Sequence, residues 1–214
     1  MLSKWDQLKF GKAFLGLVRD PRDTEQVFNM ADIGLKQTNS TLIKPVVDAA
    51  MSHSEFRKLY EAGYLAPKID LNELAQLPDH TLGFAFARHM RTNNLDVDFY
   101  RHLEPSEPIR YIALRARQCH DIWHVLTGYG TIVKDELALQ AFTLAQLRTG
   151  ISATLLAAGL LHTVKTASEE LIEVMDVVVD GYSRGRRANF MLGIAWEKMW
   201  DKSLRDAQTL AGLL

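Results

Sequence analysis

The sequence predicts an all-α fold, a single-domain helical bundle, and three observations carry that expectation. All six prolines stand at or before Pro108, so residues 109–214 run without the residue that most strongly breaks a helix. Apolar side chains recur three and four positions apart through most of the chain. Nowhere do apolar and polar residues alternate over a length that makes a half-buried strand.

The elements follow in order. Residues 5–18 read as an amphipathic helix with Trp5, Leu8, Leu15 and Val18 at helical spacings. Thr24–Lys36 and Pro45–Ala62 are two more, the second opening on a proline suited to a first turn. Leu71–Leu77 is short, and Thr81–Thr92 carries Leu82, Phe86 and Met90 on one stripe. Residues 95–108, with Pro105 and Pro108, make a connector. Ile109–Leu126 is ended by Gly128 and Gly130. Asp135–Lys165 reads as one long apolar helix, bent near Gly150 or Gly159. Residues 168–179 and 187–212 complete the set, divided by a polar, basic turn at Gly181–Arg187.

Composition narrows the function classes. With 47% hydrophobic and 24% charged residues over 214 positions, the chain is an ordinary globular mix, and one domain spanning 1–214 is expected. A formal charge of −1 gives no general attraction to nucleic acid, so none is expected as a partner. The single cysteine, Cys119, excludes an intrachain disulfide and fits a reducing compartment. The Ala13–Val18 apolar run, flanked by Lys9, Lys12 and Arg19, is too short for a secretory core or a spanning helix. The charge-free stretch 149–164 is also below spanning length, and the N-terminus does not read as an organelle leader. A cytoplasmic protein that does not cross a membrane is therefore expected.

The informative stretch is His120-Asp121-Ile122-Trp123-His124, followed by Glu136. Positions 120, 121 and 124 share one helix face, and two histidines at i and i+4 can converge on one ion. Asp121 lies beside them as a ligand or orienting group. The Gly128/Gly130 turn reverses the chain, so Glu136 can return level with His124. Two imidazoles and two carboxylates suit Zn²⁺, Fe²⁺ or Mn²⁺, with Mg²⁺ open if water fills the shell. The ordinary alternative is a pair of helix-face histidines satisfied by neighbouring acids. Arg117, one turn before His120, offers a guanidinium for a substrate carboxylate or phosphate, or else for a structural acid.

Beyond Glu136, Leu144, Leu147, Ile151 and Leu155 are interleaved with alanines and glycines. Such alternation either leaves a groove for a long hydrocarbon or packs a central helix closely. Tyr182–Arg187 is a basic run suited to anionic headgroups or to a solvated corner, and Trp5, Trp196 and Trp200 read as packing anchors. The N-terminal and C-terminal helices each offer a face for self-association, so a homo-oligomer is expected. Phosphate loops, Gly-x-Ser-x-Gly elbows and Cys-x-x-Cys pairs do not occur, which leaves dinucleotide, P-loop and thiol mechanisms unsupported.

The motif resembles the signature of the Coq-four family of ubiquinone (coenzyme Q) biosynthesis proteins. So do Leu77-Pro78-Asp79-His80-Thr81-Leu82-Gly83, Arg117-Gln118-Cys119, Leu126-Thr127-Gly128, Gly185-Arg186-Arg187 and Trp196-Glu197-x-x-Trp200, over roughly residues 70–214. The resemblance implies a divalent ion, commonly zinc, held by His120, Asp121, His124 and Glu136. It implies a polyprenylated aromatic or long-chain isoprenoid ligand, and other quinone-biosynthesis proteins as partners. It also implies either oxidative decarboxylation of the ring, with Asp121 or Glu136 exchanging between ligand and proton acceptor, or a non-catalytic lipid-presenting scaffold. A metal-dependent phosphohydrolase is the weaker rival, and a bacterial version of the family is expected.

Overall fold

A computed structural model describes residues 2–36, 41 and 43–214. Among these the structure is helical with no strand, as expected. The elements are α1 (Lys4–Arg19), α2 (Thr24–Leu35), α3 (Lys44–Ser52), α4 (Ser54–Glu61), α5 (Leu71–Leu74) and α6 (Leu82–Thr92). They continue as α7 (Pro108–Thr127), α8 (Val133–Leu147), α9 (Gly150–Thr166), α10 (Leu171–Arg187) and α11 (Leu204–Ala211). Three short 3₁₀ turns lie at Ser168–Glu170, Met191–Gly193 and Trp196–Lys198. The starts are written in the sequence as caps: Ser3, Asp23, Asp70, Thr81, Thr149 and Ser203 each accept a backbone N–H of the turn that follows.

The chain divides into two compact units. The first comprises residues 2–48 and 130–186, the second 49–129 and 187–214. In the first, α1 packs on α2 and α9, and α8 packs on α9. One core gathers Ala13, Leu17, Met30 and Ala158, flanked by Phe10, Phe14, Val18, Val27, Ile151 and Leu155. Another gathers Leu137, Ala141, Leu156 and Val174, with Val133, Leu144, Leu160 and Val178 against it. The buried face of α1 is therefore not the one marked by Trp5, Leu8 and Leu15, which are all exposed. Small Ala13 lets the helix approach its neighbours, and Trp5 anchors nothing in this core.

Several element boundaries differ from the sequence-based expectation, three of them in or next to the first unit. The long helix expected over Asp135–Lys165 is two helices, broken at Arg148, which adopts a left-handed φ of 56°. Thr149 then caps α9 through its side chain, so a hydroxyl and one unusual backbone residue do what a glycine was expected to do. The helix runs straight through Gly159. Second, α10 continues through Gly181–Arg187 where a turn was expected. Gly181 and Gly185 face α8, where a Cβ would stand 2.1 Å from the Ala138 carbonyl oxygen and 2.6 Å from that of Phe142. Those glycines serve close helix packing. Third, Pro45–Ala62 splits at His53, whose backbone is extended and whose ring stacks on Phe190 with centroids 4.1 Å apart.

In the second unit α6 and α11 pack on α7. The start of α6 is clasped by the 200–204 segment: Leu82 N–H donates to Lys202 O, Gly83 N–H to Trp200 O, and Leu204 N–H to His80 O. Trp196 is fully buried, and Trp200 tilts against Phe86. The continuous helix expected over 187–212 is instead two 3₁₀ turns followed by α11, so Trp196 and Trp200 do not share a helical face. At the centre lies a buried ion pair. Arg115 donates to Glu197 Oε1 at 2.8 Å, to Gln118 Oε1 at 2.8 Å and to the Ile194 carbonyl at 3.1 Å.

Candidate metal centre

The site is built on the last two turns of α7. Pro108 opens that helix, and Gly128, at φ 78°, ends it with its N–H donating to the His124 carbonyl at 2.8 Å. His124 is buried, and His120, one turn earlier, is half-buried. Their Nε2 atoms stand 3.2 Å apart, with the rings nearly perpendicular at 89°. Two nitrogens bound to one ion at about 2.0–2.1 Å in a tetrahedral shell are about 3.3–3.4 Å apart, so the observed spacing suits two ligands of one cation. The other nitrogen of His124, Nδ1, lies 3.0 Å from the Tyr129 carbonyl oxygen. A carbonyl only accepts, so Nδ1 carries the proton and Nε2 keeps its lone pair.

The turn after α7 is tied by Asp135, whose carboxylate accepts the Gly130 N–H at 3.2 Å. Glu136 follows in the first turn of α8, where the helix N-terminus favours a negative charge. His120 and His124 belong to the second unit, and Glu136 to the first turn of α8 in the first unit. Asp121 is half-buried on α7. Arg117 donates from Nη1 to the Arg101 carbonyl at 3.0 Å, tying the 95–107 connector to α7.

The four leucine-type positions divide between two helices. Leu144 and Leu147 are on α8 and Ile151 and Leu155 on α9, with Leu144 in one core and Ile151 and Leu155 in the other. No single rod carries all four.

Two residues near the imidazoles carry no mark in the sequence. The His89 ring, from the last turn of α6, stacks on His124 at 5.4 Å, and Tyr100 meets His120 edge-on at 6.4 Å. Neither has a partner at ligand spacing in its own segment, so no local pattern points to them. Nearby Cys119 is fully buried, and burial pushes its thiol up to about 12. It is no nucleophile at neutral pH. No described helix is long and apolar enough to cross a membrane.

Comparison with known proteins gives one consistent result. The family described as coenzyme Q (ubiquinone) biosynthesis protein Coq4 matches residues 6–213. A mitochondrial ubiquinone biosynthesis protein COQ4 of the fungus Laccaria bicolor is 26% identical over 208 residues, which is 96% of this chain and 68% of that protein. The human mitochondrial homologue is 27% identical over 148 residues, covering 68% of this chain and 55% of its own length. The chain thus spans between about half and two thirds of such relatives. A crystal structure of a Nostoc punctiforme protein, described as a candidate ubiquinone biosynthesis protein, superposes with a TM-score of 0.83 at 27% identity. That superposition covers 97% of this chain and 98% of the other. On the extent of that match, the chain belongs to the Coq4 family of ubiquinone biosynthesis proteins.

Proposed function

We propose that this protein binds a divalent metal ion through His120, His124 and Glu136 and holds a polyprenylated aromatic intermediate of isoprenoid-quinone biosynthesis beside it. The observation that carries the reading is the pair of Nε2 atoms 3.2 Å apart, with the Tyr129 carbonyl fixing the His124 tautomer. The donor set of two imidazoles and a carboxylate fits zinc first, with iron, manganese or magnesium as the other fits. Bound there, the ion supplies Lewis-acid polarisation of a ring oxygen or carboxylate. The protein's own part is to orient and to exchange protons: Asp121 or Glu136 accepts a proton, and Arg117 meets an anionic ring substituent. Leu144, Leu147, Ile151 and Leu155 supply apolar surface for the prenyl tail. The reading includes peripheral attachment at a cytoplasmic membrane face, a homo-oligomeric assembly and other quinone-biosynthesis proteins as partners.

Metal analysis of untagged protein tests the centre. About one ion per chain is expected, with each of His120→Ala, His124→Ala and Glu136→Ala losing most of it while far-UV circular dichroism is unchanged; wild-type protein without stoichiometric metal overturns the reading. Turnover decides between enzyme and scaffold. Metal-replete protein is incubated aerobically with a prenylated hydroxybenzoate. Carbon dioxide release that Glu136→Ala abolishes assigns ring decarboxylation, tail binding without product assigns a lipid-presenting scaffold, and phosphate released from a prenyl phosphate assigns a phosphohydrolase.

A further inference from the structure

In the first unit, Leu144, Ala145, Arg148, Tyr182 and Arg186 line a groove of about 270 Å³. Leu144 and Ala145 give it an apolar wall on α8, Arg148 caps that helix, and Tyr182 and Arg186 project from the last turns of α10. Both arginines are exposed, and neither guanidinium has an ion-pair or hydrogen-bond partner among the described residues. Neighbouring Arg184, by contrast, lies 3.8 Å from Asp180. Both unpaired cations sit at helix C-termini, whose partial negative charge is about half a unit each, so the groove retains about one net positive charge.

One face of α10 extends this groove. Ile172, Met175, Val179 and Tyr182 are exposed at 78%, 41%, 58% and 43%, and Arg186 follows one turn after Tyr182. The spacings of three, four, three and four place all five on one stripe. An exposed apolar stripe that runs into a pair of unpaired guanidiniums complements an amphiphile with its charge at one end.

We propose that Arg148, Arg186 and Tyr182 form an anion-binding site for a phosphate-ester or carboxylate headgroup whose apolar body lies along α10. Two guanidiniums and a phenolic hydroxyl converging from two helices match the several acceptor oxygens of such a group. The left-handed backbone of Arg148 turns its side chain out of α8 at the mouth of the groove. This site shares no residue with His120, His124 or Glu136 and does not depend on the metal reading.

The test uses the full chain with three probes: phenyl phosphate titrated by calorimetry, and sedimentation with phosphatidylcholine vesicles with or without phosphatidylglycerol. Saturable binding is expected, weakening with added salt and falling at least about tenfold in Arg186→Gln and in Arg148→Asn. Asparagine tolerates the left-handed backbone, so the second variant keeps the helix end intact. Binding of phenyl phosphate identifies the source as a free ester. Capture by the phosphatidylglycerol vesicles alone, lost in both variants, identifies it as a membrane headgroup. Absence of binding to every probe, or variants that bind like wild type with unchanged melting, overturns the proposal. His120→Ala is expected to bind as wild type does, so a failed metal centre and a failed anion site give different results.

Discussion

Arg115 and Glu197 have side chains wholly out of solvent, 2.8 Å apart. A buried pair of this kind adds little over an apolar pair of equal volume, but removing one partner strands the other charge. Glu197→Ala is therefore expected to lower the unfolding free energy by about 3–5 kcal/mol in urea titration, and Arg115→Met with Glu197→Leu to recover most of it. An unchanged midpoint in the single variant would remove the pair from the stability argument. Burial likewise holds the Cys119 thiol near 12, from an ordinary 9.0, against partial relief by Arg115. The folded pKa is the higher one, so this contribution is complete below pH 9 and is lost as pH rises toward 12. Stability should fall by roughly 1 kcal/mol per pH unit at most in that window, and Cys119→Ala should flatten the slope. The Trp196-Glu197-x-x-Trp200 segment is visible in the sequence, but its partner Arg115 is not, because the pairing is made by tertiary packing. The metal-type histidines were legible for the opposite reason: a helix fixes i and i+4 neighbours locally. His89 and Tyr100, brought in from other segments, were not.

At the scale of the element, helix positions were legible wherever a proline, a capping side chain or a left-handed glycine marks an end, as at Ser3, Thr81, Pro108 and Gly128. Reading failed where glycine served packing. Gly181→Ala places a methyl group 2.1 Å from the Ala138 carbonyl, so a loss of about 1–3 kcal/mol is expected in thermal or chemical unfolding. At Gly11, within α1, an added methyl group would meet nothing within 4 Å, and Gly11→Ala should instead raise stability by about 0.5–1 kcal/mol. If the two substitutions have the same sign, the assignment of Gly181 to helix contact is wrong. The break at Arg148 is hidden because arginine is an ordinary helix former, and only Thr149 behind it carries a signal.

For the whole molecule, neither unit is a continuous piece of chain, since the backbone passes between them after residues 48, 129 and 186. We propose that residues 1–214 nonetheless unfold as one cooperative domain. The tryptophans allow a check, because Trp123, Trp196 and Trp200 belong to the second unit and only Trp5 to the first. In a Trp5→Phe variant, fluorescence reports the second unit and far-UV dichroism reports all helices. Coincident urea transitions are expected; two separated midpoints would establish two folding units. The overall helical class was legible because periodicity is written along the chain. The division into interleaved units was not, since it depends on which distant apolar faces meet.

The bond from His124 Nδ1 goes to a main-chain oxygen, that of Tyr129. The identity of the side chain at 129 therefore does not enter the contact that aims the imidazole. Lengthening or shortening the loop by a single residue would misdirect the ring at once. For this pair of histidines, insertions and deletions are the dangerous genetic lesions, and a variant library that spares loop length while randomising position 129 should match the wild type in metal analysis.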